Sequence, residues 1–331
     1  MTDGIELGKS ILYLTRDEVA GLGISRAEVL DKVNTAMVEH GHKRYEMPAK
    51  IGVHPYDDVF FHAMPAYMSG LGIAGEKWIA CYPRNPEEFG IPQTTGLMVM
   101  NHVDSGAPLA IMDCTWVTAM RTPAVSALSA AVMNPEATSF AQFGCGVQGI
   151  EHVYYMLEAL PKLEKITVYD RDLSRADALV AEVQKVSDVT ISRGESLEAM
   201  AKEHEVLSSA TLILKESLAL IKKEWVGAGQ LILPIDLVTF FDAEIPGMAD
   251  KFFLDSTDEH VLFDQMGYFP LGLPPITAET GEVLAGLKPG RTSPDELIVV
   301  SNTGMSVNDV TLGKYVLDKA IEAGIGRLLP L

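Results

Sequence analysis

The chain has 331 residues, 47% of them hydrophobic and 21% charged, with a formal net charge of −19. That length exceeds one typical domain and the composition is that of a globular protein, so two domains are expected. The acidic balance excludes nucleic acid as a partner, because binding a polyanion needs clustered Lys and Arg, and it argues equally against an anionic membrane surface. An anionic small substrate fits only if a few cations are gathered locally against the overall field. The sequence has no apolar run of about 18 residues, and its start, MTDGIELGKS, lacks the basic and apolar regions of a signal peptide, so a cytoplasmic protein is expected. Cys81, Cys114 and Cys145 are far apart without CxxC spacing, which suggests free thiols rather than disulfides or zinc.

In chain order, Ser25 and Glu28 form an S-x-x-E capping box ahead of a helix whose apolar positions Val29, Val33 and Met37 recur every four residues and which ends near Gly41. Residues 51–113 are rich in β-branched and aromatic side chains broken by Gly and Pro, the pattern of several antiparallel strands. A second helix is expected over 116–133. Residues 139–170 then read as strand, glycine turn, helix and a second strand ending in an acid, the order of a dinucleotide-binding unit.

Within that unit Gly144 allows the turn, Gly146 lets backbone approach a pyrophosphate, and Gly149 lets the helix sit close to the strand. Asp170 follows Gly149 by 21 residues, near the roughly 20 expected for an acid that accepts from a ribose hydroxyl. It favours NAD, while Arg171 beside it would attract the 2′-phosphate of NADP, the alternative. Cys145 lies inside the turn, where it is either a thiol activated by a helix start or, the preferred reading, a small residue filling the turn.

Short apolar strands follow at 189–191, 206–211, 231–235, 252–254 and 297–300, separated by helices or loops in the doubly wound manner. The last segment, 306–324, reads as a helix that Ser306 and Asp309 can cap, with Val310, Leu317 and Ile321 on one face. Its return to the N-terminal region would make the first domain discontinuous.

The segments HAMPAY from His62, GEKW around Lys77, Asp104 to Gly106 in DSG, MDCTWVTAMRTPAVSA ending at Ala127, GCGVQG from Gly144, and LILPID ending at Asp236 carry a resemblance. On them the chain resembles the ornithine cyclodeaminase and mu-crystallin family over nearly its full length. The resemblance implies an α/β protein in which a Rossmann-type doubly wound domain, residues 131–305, is inserted in a mixed α+β substrate and dimerisation domain, residues 1–130 plus 306–331. It also implies a homodimer, and oxidation of amino acids to imines or the reverse.

The chemistry tells the residues apart. Redox transfer at an amino acid Cα requires the substrate carboxylate to be pinned, and cations do this. The family's carboxylate-holding positions fall on Lys50, Lys77 and Arg121, with Lys50 standing where an Arg is usual, which replaces a bidentate fork by a point charge. Asp236 matches the family's catalytic Asp, and its place after a parallel strand suits a general acid or base; mu-crystallin has a serine there. Lys77 is a second catalytic candidate. The resemblance adds Thr95, at the cofactor phosphates or the substrate pocket and with Thr94 as the neighbouring alternative, and it adds Gln148, Arg121, Thr122 and Thr211 to the cofactor candidates. His62 stands where ornithine cyclodeaminases use a glutamate, which disfavours ornithine cyclisation and leaves His62 either to meet a substrate tail or to pack.

His40 and His42 have poor chelating geometry and the sequence has no HExxH, EF-hand or P-loop motif, so a metal is not implied. The expected function is an NAD-dependent amino-acid dehydrogenase or imine reductase acting on a small amino or imino acid. The alternatives are a cyclodeaminase, or a mu-crystallin-like binding protein with little turnover.

Overall fold

The computed structural model describes residues 4–56 and 59–331. The chain divides into two compact units, residues 1–121 with 305–331 and residues 122–304.

The first unit begins with β1 (Ser10–Leu14) and a short helix α1 (Arg16–Ala20). Thr15 starts α1 through a T-x-x-E box not picked out in the sequence, its amide donating to the Glu18 carboxylate at 2.8 Å. The Ser25–Glu28 box does start α2 (Arg26–Gly41), which buries Val29, Val33 and Met37. The alternating segment that follows folds as β2 (Ile51–Val53), β3 (Phe60–Met68), β4 (Ile73–Cys81), a helical turn α3 (Asn85–Glu88), β5 (Thr94–Asn101) and β6 (Pro108–Asp113). Neighbouring strands from β2 to β6 pair antiparallel. Helix α4 (Thr115–Met133) leads out of this unit and contains Pro123, which has no amide to bond the carbonyl one turn back.

The second unit alternates β7 (Ser139–Phe143), α5 (Val147–Ala159), β8 (Lys165–Tyr169), α6 (Leu173–Val183), β9 (Thr190–Arg193), α7 (Leu197–Glu203), β10 (Val206–Ser209) and β11 (Leu231–Pro234). It continues through α8 (Ile245–Met248), β12 (Lys251–Leu254), α9 (Thr257–Gln265), β13 (Ala278–Glu279), α10 (Thr280–Leu284) and β14 (Ile298–Ser301). The eight strands form one parallel sheet in the order β13-β12-β14-β11-β10-β7-β8-β9. Both faces are covered, which is why these strands are continuous apolar runs rather than alternating ones. Phe140, Ile166, Leu231 and Ile298 belong to the core on one face, and Ala141, Phe143, Ile232 and Val299 to the core on the other. Strand order runs in opposite directions from β7, making the carboxyl ends of β7 and β10 a switch point, where open α/β sheets bind ligands.

The chain then returns to the first unit as α11 (Ser306–Ala323) and β15 (Arg327–Pro330). Strand β15 pairs antiparallel with β1, which runs parallel to β6, giving the order β15-β1-β6-β5-β4-β3-β2. Helices α2 and α11 pack together, and α11 also packs on β3, β4 and β5. The capping of α11 differs from the sequence reading: its N-cap is Met305 without a side-chain bond, Ser306 donates to the Pro65 carbonyl, and Asp309 is wholly buried. Gly324, at φ +64°, ends the helix in the left-handed conformation. Among the described residues no helix is long and apolar enough to cross a membrane.

Candidate active site

In the first unit the pleat of the antiparallel sheet sorts the candidates. Residues opposite one another across β3, β4, β5 and β6 include Met64, Lys77, Met98 and Met112, a buried row in which Lys77 is the one polar member. An ammonium group in such a layer is costly unless paired. Its Nζ lies 2.6 Å from Oδ1 of Asp309, and Nε of Arg121 donates to the same oxygen at 2.9 Å. Lys77 and Asp309 are fully buried and Arg121 is 5% exposed. Two cations thus share one anion, leaving a single positive charge inside an acidic protein. Nη1 of Arg121 and Oδ2 of Asp309 are buried with no hydrogen-bond partner among the described residues.

The titration behaviour follows from this arrangement. Burial pulls the Lys77 ammonium down to about 8, Asp309 working against that and Arg121 with it. Burial would raise the Asp309 carboxyl, but Arg121 and Lys77 outweigh it and hold the group below its ordinary value. Burial lowers His62 to about 3, helped by Lys50, His54 and Lys77, so the ring is neutral. His62 stacks on Phe60 with centroids 3.9 Å apart and lies on the same face of β3 as Met64, opposite Ile79. Lys50, half-buried just before β2, completes this group of basic side chains.

Thr95 lies near the start of β5. It pairs with Ala80, next to the register pair Trp78 and Leu97 by one alternation of the pleat, and so lies on the opposite face from Lys77; Thr94, opposite Cys81, takes the position on the Lys77 face.

In the second unit the glycine turn joins β7 to α5. Gly144 has φ +89°, and a Cβ on Gly149 would come within 1.8 Å of the Gly144 carbonyl, so helix and turn approach as only glycine permits. Helix α5 starts at Gly146 with no side-chain cap, and a Cβ on Gly146 would meet nothing within 4 Å, so the space beside it is open. Backbone amides there are available to an anion. The turn therefore fits a dinucleotide pyrophosphate. Gln148 lies in the first turn of α5, and its carbonyl bonds Nδ1 of His152 at 2.7 Å. Thr122 is half-buried in α4 and Arg171 is exposed.

Asp170 stands directly after β8 and takes on a task that the sequence did not suggest: it accepts from the Cys145 amide at 2.7 Å and the Asp172 amide at 2.9 Å, tying the turn to the strand end. Cys145 is the filler that the sequence favoured, since its buried thiol faces the Tyr169 carbonyl at 3.6 Å and burial pushes it up to about 12.

Asp236 follows β11 and is fully buried. Oδ1 accepts from the Ser209 hydroxyl at 2.5 Å, and Oδ2 accepts from the Thr211 amide at 3.1 Å and from the Thr211 hydroxyl. The Thr211 hydroxyl thus donates its proton to Asp236 and keeps its lone pairs for another donor. Burial raises Asp236 to about 6 against the opposing bonds from Ser209 and Thr211. The next residue, Leu237, sits at φ +59°, a conformation costing a leucine about 1–3 kcal/mol. Asn302, just beyond β14, is 2% exposed and both ends of its amide lack a hydrogen-bond partner among the described residues.

Asp309, Ser209 and Asn302 are the polar groups missed in the sequence. A signal existed for Asp309, which falls on the same helical stripe as Ser306, Gly313 and Leu317 and so had to be buried with a partner. Elsewhere His40 is buried against Tyr45 and His42 is exposed beyond α2, and no cluster of three or more His, Cys, Asp or Glu suited to a metal occurs among the described residues. A groove of 940 Å³ at the amino ends of β10 and β11 is lined in part by Arg291, which is spent on the carbonyls of Met133, Pro294, Glu296 and Gln230.

Residues 11–324 match the ornithine cyclodeaminase/mu-crystallin family. The chain belongs to that family. It is 31% identical to an alanine dehydrogenase of Archaeoglobus fulgidus over 95% of this chain and 97% of that one. Among solved structures it is similar to Δ1-pyrroline-2-carboxylate reductase of Thermococcus litoralis in complex with NADH and L-proline, with TM-score 0.83, 26% identity, and coverage of 96% of this chain and 99% of that one. It is equally similar in fold to an archaeal alanine dehydrogenase dimer with bound NAD, with TM-score 0.83, 29% identity, and coverage of 97% and 99%.

Proposed function

We propose that the protein is an NAD-dependent oxidoreductase that interconverts a small 2-amino acid and its 2-imino acid, with residues 122–304 binding the dinucleotide and the first unit holding the substrate. The observation that carries this reading is the buried Lys77–Arg121–Asp309 group, which among the described residues has one uncompensated positive charge and an unpartnered guanidinium nitrogen, both suited to a substrate carboxylate. Lys50 adds a further positive charge, and neutral His62 provides a surface for the substrate side chain.

Bound at the glycine turn, NAD supplies the two-electron acceptor or donor for the substrate Cα hydrogen. Lys77 and Arg121 fix the carboxylate and thereby the orientation of Cα. Asp236 accepts the proton released from the nitrogen as the C=N bond forms and returns it in the reverse direction, a role that suits a carboxyl group near 6. The alanine dehydrogenase and pyrroline-2-carboxylate reductase relatives support this reaction class, and their bound NAD and NADH support the cofactor.

A homodimer completes the proposal. The sheet face turned away from α11 carries exposed Trp78, Leu97 and Tyr67, and the archaeal alanine dehydrogenase is a dimer. The test is absorbance at the NADH band with a panel of amino acids, and of 2-oxo acids with ammonia or amines. Turnover of at least one small acid is expected; cofactor binding without any turnover would overturn the enzymatic reading.

A further inference from the structure

A buried carboxylate in the first unit has a place in the reaction that its position on an apolar helix conceals. We propose that Asp309 is a positioning residue that keeps Lys77 cationic and holds the Arg121 guanidinium by its Nε edge, so that the two cations together present one net positive charge to the substrate carboxylate. The inference rests on the amino-acid oxidoreductase reading above.

Three observations support it. First, one oxygen, Oδ1, serves both cations, at 2.6 Å from Lys77 Nζ and 2.9 Å from Arg121 Nε. A bond at Nε leaves the Nη edge of the guanidinium for another acceptor, and Nη1 has no partner among the described residues. Second, the alternative to pairing is severe. Lys77 lies in a row of methionines, Met64, Met98 and Met112, where an unpaired ammonium would shed its proton. Third, the charge balance fits one ligand. With Asp309 ionised the group carries +1 and is neutralised by a single carboxylate; without it the group would either carry +2 or lose the Lys77 proton.

The groups facing Lys77 are Asp309 from α11, Arg121 and Cys114 from the segment after β6, and His62 from β3. Cys114 is a neutral thiol, raised to about 11 chiefly by burial, and His62 is neutral, so Asp309 is the anion that sets the Lys77 charge. Lys77 is lowered to about 8 with Asp309 present. Removing the Asp309 charge removes a contribution that raises Lys77 and leaves burial and Arg121, which lower it. The sign is therefore fixed: carboxylate binding is strong below the Lys77 pKa, weakens above it, and the weakening begins at lower pH in Asp309→Asn.

The experiment is the pH dependence of pyruvate binding, measured by calorimetry in the presence of NAD, in the wild type, Asp309→Asn and Lys77→Met, with NAD affinity as a control. Pyruvate serves as the carboxylate probe and reports the clamp whether or not turnover occurs. The wild type is expected to lose affinity above about pH 8. In Asp309→Asn this limb should move down by at least about one pH unit, costing on the order of tenfold in affinity at pH 8. In Lys77→Met the limb should be absent, and NAD affinity should be unchanged in both variants.

A limb unshifted in Asp309→Asn, or a parallel loss of NAD affinity, would overturn the inference. Should Asp309→Asn not fold, the wild type and Lys77→Met decide: a wild-type limb near 8 that Lys77→Met retains also overturns it. Absence of turnover with every acid, alongside the predicted limb shift, would sink the proposed reaction and leave the role of Asp309 standing.

Discussion

Asp236 and Asp309 are two aspartates with the same burial and opposite chemistry. Each is wholly removed from water, one at the end of β11 in the second unit and the other inside α11 in the first. Asp236 is surrounded by neutral donors, Ser209 and Thr211, which recover only part of the desolvation cost, so its carboxyl rises to about 6 and can exchange a proton near neutrality. Asp309 is surrounded by Lys77 and Arg121, which recover more than the cost, so it stays ionised and serves as a fixed charge. Burial alone does not assign a role to an acid; the charge of its donors does.

The largest effect should come from the proton carrier. Asp236→Asn keeps the shape and can keep the Thr211 bonds on its amide oxygen, with the Ser209 bond reversed, but it cannot take a proton, and kcat is expected to fall roughly 10²–10⁴-fold with NAD affinity retained. Steady-state kinetics and a cofactor titration check this. Retained turnover would break the comparison by showing that neutral donors at a buried aspartate are only structural.

A smaller effect should come from changing the donors. Ser209→Ala removes a bond that lowers Asp236, so the acid limb of amino-acid oxidation, expected near 6 because Asp236 must be ionised to accept a proton, should move to higher pH. The displacement should be about one unit or less, with the plateau rate little changed. The reductive direction reverses the sign, since Asp236 must then carry the proton and the rate falls above the same pKa.

The smallest effect concerns a third carboxylate, Asp170, fed by two backbone amides. Asp170→Asn weakens the bond from the Cys145 amide of the turn and the bond from the Asp172 amide, and removes the charge that discriminates against a 2′-phosphate. The affinity ratio of NAD over NADP should drop about two- to fivefold, the effect of a single charge at a partly solvated ribose edge, about 0.2–1 kcal/mol. An unchanged ratio would confine Asp170 to tying the turn.

The legibility of the sequence followed the range of the interactions. Local signals were readable: the Ser25–Glu28 box, the Gly144 turn and the parallel strands after Asp170 all appear where short-range patterns put them. β1 and β15 were not readable, because they form by pairing residues 10–13 with 327–330 across the length of the chain, with no turn to announce them. The same holds for the site. Lys77, Arg121 and Asp236 stood in recognisable motifs, whereas Asp309 looked like a helix cap, since its partners lie 232 and 188 residues away. Thr94 and Thr95 could not be told apart, because in a pleated strand one residue changes the face and only the paired sheet shows which is which.

The comparison of the two aspartates is tested most directly by titrating them. In protein labelled with ¹³C at the aspartate carboxyl carbons, with Asp236→Asn and Asp309→Asn spectra giving the assignments, NMR would be recorded from about pH 5 to about pH 9, on either side of the unperturbed histidine range. One resonance should shift with a midpoint of about 6 and vanish in Asp236→Asn, while another stays at its ionised position throughout and vanishes in Asp309→Asn. An Asp236 resonance ionised across the whole range, or an Asp309 resonance titrating within it, would contradict the account.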